Sequence, residues 1–140
     1  MRLGIISDTH GDMTAMRQVA ALTPPVDCWL HAGDHARDGA FLEKLTNVTV
    51  YAVCGNTDLF LDCKKIDEFI TMAGKKIWLT HGHTYHVHGN DVHELLYRGR
   101  QYDADIIIFG HTHEPYVDCI DGRLLINPGS ASRPRGGSAA

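Results

Sequence analysis

Ile106-Ile107-Ile108-Phe109-Gly110-His111-Thr112-His113 is the stretch from which the fold is read. Four apolar residues in a row read as a short buried strand. Two imidazoles, two positions apart, then leave its carboxyl end. In open α/β sheets the ligand crevice lies beyond the carboxyl ends of the strands, so this pair points into a cleft. Working outward, four other strand-like runs end in good metal ligands. Arg2-Leu3-Gly4-Ile5-Ile6-Ser7 runs into Asp8-Thr9-His10, and Cys28-Trp29-Leu30-His31-Ala32 into Gly33-Asp34. Val48-Thr49-Val50-Tyr51-Ala52-Val53 runs into Gly55-Asn56, and Ile77-Trp78-Leu79-Thr80 into His81-Gly82-His83. Five strands delivering Asp, His and Asn to one edge is a proposal for a metal site.

The chain between these runs fits an α/β domain, because segments with helical period alternate with the strands. Asp12 is placed to cap a helix whose apolar face is Met13, Met16, Val19 and Ala20, stopped by Pro24-Pro25. A short helix over 39–45 is expected to bury Phe41, Leu42 and Leu45. Residues 59–67 read as loop. Phe69 to Met72 and Lys76 to Thr80 read as a hairpin around Ala73-Gly74-Lys75. Asp91 with Glu94 resembles a capping box for a helix with Val92, Leu95 and Leu96 inward. Asp121-Gly122 between Tyr116 to Ile120 and Arg123 to Ile126 is a type I′ hairpin signal.

At 140 residues the chain is read as a single domain, 1–140, with Arg133 to Ala140 as a loose tail. A formal charge of -4 supplies no broad basic surface, so nucleic acid is expected as a substrate at most. No apolar run is long enough for a membrane span, and the start reads as a first strand rather than a leader, so the expected compartment is the cytoplasm. Cys28, Cys54, Cys63 and Cys119 lack C-x-x-C spacing and are expected to be four free thiols, mostly buried. Histidine is the unusual component, at ten residues.

Aspartate, asparagine and imidazole together suit Mn²⁺, Fe²⁺, Zn²⁺, Co²⁺ or Ni²⁺ better than Ca²⁺, which wants oxygen alone. Asp8, His10, Asp34, Asn56, His81, His111 and His113 are seven ligands, too many for one open four-coordinate site. They are about right for two cations sharing a carboxylate, roughly 3.5–4 Å apart, the arrangement that clamps an in-line displacement at phosphorus.

The ordered set Asp8-x-His10, Gly33-Asp34, Gly55-Asn56-x-Asp58, His81-Gly82-His83 and Gly110-His111-Thr112-His113 resembles the calcineurin-like metallophosphoesterases. Within them it is similar to the small bacterial and archaeal phosphodiesterase group, as is Asn127-Pro128-Gly129-Ser130. The resemblance spans nearly the whole chain. It implies a four-layer α-β-β-α sandwich of two mixed sheets with flanking helices. It implies that Asp8, His10 and His113 hold one metal, that Asn56, His81 and His111 hold the other, and that Asp34 bridges. The implied activity is that of a binuclear metal-dependent phosphodiesterase, in which a metal-bridging hydroxide attacks phosphorus. Two divalent ions are the implied cofactors, manganese first. The partner is a small phosphodiester, and the chain is a monomer or homodimer.

Two departures bear on this. Protein phosphatases of the superfamily carry a histidine acid after the motif asparagine, where this chain has Thr57, and Asp-Arg-Gly where it has Arg37-Asp38-Gly39. That favours the phosphodiesterase group and leaves the leaving-group acid unassigned, with His83 as a candidate and Asn56 and His111 as further candidate catalytic residues. Relatives usually continue past Pro134-Arg135-Gly136-Gly137 into further strands, which leaves open a truncated form with an unpaired sheet edge. Taken singly, each ligand is explained by capping or turn formation; the case rests on their order. His31 reads as a satisfied core histidine, while His35, His86, His88 and His93 read as polar surface. Arg37 and Arg133 read as surface arginines that a substrate phosphate could meet. The competing reading is a metal-binding or degenerate scaffold module of this fold, like the retromer subunit, acting through protein–protein contacts.

Overall fold

The computed structural model describes residues 1–58 and 63–137. The strands are β1 (Leu3–Ile6), β2 (Cys28–His31), β3 (Val50–Ala52), β4 (Asp67–Met72), β5 (Lys75–Thr80), β6 (Ile106–Ile108), β7 (Pro115–Ile120) and β8 (Arg123–Pro128). The helices are α1 (Met13–Leu22), α2 (Asp38–Thr46) and α3 (His93–Gln101). They form two sheets, ordered β1-β2-β3 and β4-β5-β6-β8-β7. The larger sheet is mixed; the smaller is parallel throughout its described strands.

Alternation along the strands builds the layers. Leu30 and Ala32 of the smaller sheet meet Ile77, Leu79 and Ile108 of the larger one between the sheets. Trp29 and Ile6, on the opposite face, pack on Met16 of α1 and Leu42 of α2. Trp78, Ile107 and Leu125 pack on Leu95 and Leu96 of α3. Three apolar seams between four layers follow from a period of two. Ile106-Ile107-Ile108 reads as one apolar block because it is covered on both faces. Among the described residues no helix is long and apolar enough to cross a membrane.

Local signals explain the ends of most elements. Asp12 Oδ1 accepts from the N–H groups of Thr14 and Ala15, capping α1. Asp121 and Gly122 both have positive φ, as a type I′ turn requires. The Asp91–Glu94 capping box does not form. Asp91 accepts from the His93 N–H, and Glu94 instead pairs with Arg98 one turn on. Met13 and Leu45, expected inside, are exposed, because short helices present only a narrow stripe to the sheet.

The expectation of four free thiols is corrected. Cys54 and Cys63 form a disulfide with a Cα–Cα distance of 5.9 Å, while Cys28 and Cys119 are free. The Cys54 N–H donates to Lys65 O at 2.7 Å, which brings the end of the β3 run alongside the segment returning to β4. That approach, rather than any spacing motif, puts the sulfurs in reach. Positions 59–62 of the expected loop, and 138–140 of the expected tail, lie outside the described residues.

Candidate metal centre

The carboxyl ends of β1, β2, β3, β5 and β6 meet at one edge where the two sheets face each other. Backbone bonds stitch that edge. Asp8 N donates to Gly33 O at 3.0 Å, Gly110 N to His81 O at 3.1 Å, and Ala131 N to Ser7 O at 3.2 Å. The turns leaving the strands are left-handed at Asp8, His10, Asp34, His111 and His113, all with positive φ. Asp, Asn and His tolerate that region better than other non-glycine residues. Such a turn bends the side chain back over the strand end instead of letting the chain run on.

All seven sequence-predicted ligands converge, in two groups. In the first, donor atoms of Asp8, His10, Asp34 and His113 all lie within 4.8 Å of one another. His113 Nε2 is 3.1 Å from Asp8 Oδ1. His10 Nε2 is 3.3 Å from His113 Nε2 and 3.7 Å from Asp34 Oδ2. In the second, Asn56 Oδ1 lies 3.1 Å from both His81 Nε2 and His111 Nδ1. His81 Nε2 is 3.4 Å from Asp34 Oδ1. Asp34 therefore turns one oxygen to each group.

The hydrogen bonds fix which lone pairs face inward. Ala32 O lies 2.7 Å from His81 Nδ1 and can only accept, so that nitrogen carries the proton and Nε2 is bare. Arg133 O holds His113 Nδ1 in the same way at 2.9 Å. In the neutral imidazole that a metal requires, His113 Nε2 and Asp8 Oδ1 are two acceptors face to face, and Asp8 Oδ1 is buried with no hydrogen-bond partner. Its sister Oδ2 is satisfied by Ser7 Oγ and the His111 N–H. A buried, unpaired carboxylate oxygen among bare imidazole nitrogens is costly. A divalent cation among them would remove the cost, so the donor set fits a metal.

The electrostatics agree. Burial pushes the Asp8 carboxyl up to about 6, and pushes the His81 imidazole down to about 4. Burial also lowers His10 and His111. Imidazoles neutral at pH 7 are in the form that ligates a metal. Asp34 lies below the ordinary carboxylate range: burial would raise it, and donation from Thr57 favours the ionised form whatever the charge of the facing imidazoles.

A calcineurin-like phosphoesterase superfamily domain model matches residues 1–140. The chain belongs to that family. Among its metallophosphoesterase relatives is the probable metallophosphoesterase YsnB of Bacillus subtilis (strain 168), 36% identical over 138 residues, spanning 96% of this chain and 78% of the relative. The phosphodiesterase MJ0936 of Methanocaldococcus jannaschii is 30% identical over 145 residues, spanning 92% and 83%. The crystal structure of Vps29 from Entamoeba histolytica complexed with Zn²⁺ superposes with a TM-score of 0.77 at 25% identity, covering 98% of this chain and 78% of that one.

The remaining histidines of this metallophosphoesterase divide by position. The His83 ring lies 5.3 Å from that of His81 and 6.3 Å from that of His111, and its buried Nδ1 has no partner. It stands beside the second group, outside the first. His31 is fully buried and hydrogen-bonded through both nitrogens. His35, expected in solvent, is half-buried with its ring edge 5.7 Å from His10. His86, His88 and His93 are exposed, as are the side chains of Arg37 and Arg133.

Several residues around the cluster had no assigned part in the sequence. Asn127 Nδ2 donates to Gly110 O and Thr112 Oγ1, and its Oδ1 accepts from Gly129 N, setting the turn between the two histidines. Ser130 and Ser132 both donate to Asp8 O, at 2.8 and 2.9 Å. Asp38 and Asp58 are buried and bond to neighbouring turns. Asp58, Asn127 and Ser130 stand within the motifs that carry the family resemblance, whereas Asp38 and Ser132 have only their polarity as a local signal.

Proposed function

We propose that this metallophosphoesterase is a binuclear phosphodiesterase. Asp8, His10 and His113 hold one cation, Asn56, His81 and His111 the other, and Asp34 bridges them. The observation that carries the reading is Asp34, with one oxygen 3.7 Å from His10 Nε2 and the other 3.4 Å from His81 Nε2. Two bound dications would supply Lewis acidity at phosphorus and a water acidified toward neutral pH. The chain's own residues do the rest. Asp34 is favoured in its ionised form and oriented by the Thr57 N–H at 3.0 Å. His81 and His113 are locked by backbone carbonyls into the tautomer that ligates. His83, the candidate leaving-group acid, stands beside the second group with Asn56 and His111.

Diesters are favoured over monoesters because Thr57 stands where protein phosphatases place a histidine acid, and a diester with an acidic leaving group needs that acid least. Small phosphodiesters are the substrate class; nucleic acid enters only as a substrate, given the -4 charge. Manganese is the first choice of metal, with Fe, Zn, Ni and Co also matched to these donors.

The test is hydrolysis of bis(p-nitrophenyl) phosphate against p-nitrophenyl phosphate after reconstitution with Mn²⁺. The diester should be the faster substrate. Asp34→Ala should lower its turnover at least ~10³-fold, the scale of losing a major transition-state contact, with unchanged circular dichroism. Turnover that survives both the substitution and a chelator refutes the proposal. The scaffold reading has the likeness to Vps29 behind it. Because that neighbour is itself complexed with Zn²⁺, metal-loaded protein that turns over neither ester would support it.

A further inference from the structure

Two buried carboxylates beside the cluster are absent from both groups of converging donors. Asp38 is 4% exposed and Asp58 1%. Each collects donors from turns that carry ligands. Asp38 Oδ2 accepts from Thr9 Oγ1 at 2.6 Å and from the Gly11 N–H at 2.8 Å, so it grips both sides of His10. Thr9 Oγ1, having given its proton to Asp38, accepts from His31 Nε2 at 3.0 Å. His31 Nδ1 in turn accepts from the Gly33 N–H at 3.2 Å. A backbone N–H can only donate, so the His31 tautomer is fixed and the bonds run in one consistent direction. The line Gly33–His31–Thr9–Asp38–Gly11 ties the turn that presents Asp34 to the turn that presents His10.

Asp58 does the corresponding work for the other turn. Its Oδ2 accepts from the Gly55 N–H at 2.8 Å, immediately before Asn56. Its Oδ1 accepts from the Ala36 N–H at 3.0 Å, two residues after Asp34. These restraints have something to hold. His10, Asp34 and His35 sit at positive φ. Such residues are strained and persist only where their surroundings over-determine them.

We infer that the centre is held by two separate clamps. Asp38, Thr9 and His31 set the cation affinity of the site made by Asp8, His10 and His113; Asp58 sets that of the site made by Asn56, His81 and His111. This rests on the two-cation reading above. Thr9, His31, Asp38 and Asp58 are positioning residues, acting through the ligands they orient. Partners of that kind typically set metal affinity by 10–100-fold when removed.

Calorimetric titration of the metal-stripped chain with Mn²⁺ tests this in two backgrounds, Asn56→Ala to isolate the first site and His113→Ala to isolate the second. Thr9→Val keeps the shape and removes the hydroxyl. It should weaken the first site roughly 10–100-fold and leave the second within about threefold, and Thr9→Ser should restore the first. Asp58→Asn should show the opposite pattern. A fold-wide defect would move both sites together, so equal weakening in both backgrounds overturns the inference, as does no weakening in either. If Thr9→Val does not fold, His31→Asn repeats the test, keeping the acceptor for Gly33 and losing the donor to Thr9. A parent chain that binds no Mn²⁺ at all would instead fault the two-cation reading itself.

Discussion

Gly110 shows how little room the centre leaves at the scale of one residue. A Cβ there would lie 2.0 Å from Ser7 Oγ and 2.7 Å from Asp8 Oδ2, closer than any real contact. Gly55 is similar, since a Cβ would meet Asp34 Oδ1 at 2.1 Å. These glycines precede His111 and Asn56, and they are small because the Ser7 hydroxyl and Asp8 carboxylate at Gly110, and the Asp34 carboxylate at Gly55, occupy the space a side chain would need. Gly110→Ala must therefore move Ser7 together with Asp8, or the β6 turn. Its Mn²⁺ affinity should fall at least about tenfold, on the scale of losing a ligand-orienting contact, with a lower Tm; equilibrium dialysis and calorimetry check both. Unchanged binding would mean that the Asp8 carboxylate has slack the structure does not show. The sequence displays these glycines plainly, but nothing local says what approaches them. Asp34 and Gly55 meet only after β3 has paired with β2.

At the scale of an element, β2 carries the most information. Trp29 and His31 face the helices; Leu30 and Ala32 face the other sheet. That alternation was hidden in the sequence because Cys28-Trp29-Leu30-His31 is buried on both sides. His31 read correctly as a satisfied core histidine. Its partner Thr9, and Asp38 beyond it, were not readable, since one lies 22 positions back and the other begins α2. Burial pushes the His31 imidazole down to about 4, against an ordinary value of about 6.5 in the unfolded chain. Between these values the folded chain binds fewer protons. The contribution of neutral His31 is complete above about pH 6.5 and is lost progressively as pH falls toward 4, a change on the order of 3 kcal/mol. Urea unfolding of the metal-free protein at several pH values should show wild-type stability falling more steeply over that window than His31→Gln. Parallel curves would mean that His31 is not the group being titrated. Hairpins were the easiest elements to read, because Asp121-Gly122 and Ala73-Gly74 state their turn chemistry locally. The Cys54–Cys63 bridge was the hardest, because a backbone contact between non-adjacent segments creates it.

At the scale of the whole molecule, the partition into two sheets was legible only through the family resemblance. Apolar runs predict strands, but Ile106-Ile107-Ile108 does not say which neighbours it takes. The seven candidate ligands were legible as a set for a related reason. Each stands at a strand end, and the parallel strands of both sheets bring those ends to one edge. Their division into two groups around Asp34 is a property of that convergence and of no single motif. Anomalous diffraction from a crystal of this chain soaked in Mn²⁺ tests it most directly. The account predicts two peaks roughly 3.5–4 Å apart, one on each side of the Asp34 carboxylate. One of them should be ringed by Asp8, His10 and His113, and the other by Asn56, His81 and His111. A single peak, or peaks away from Asp34, would contradict it.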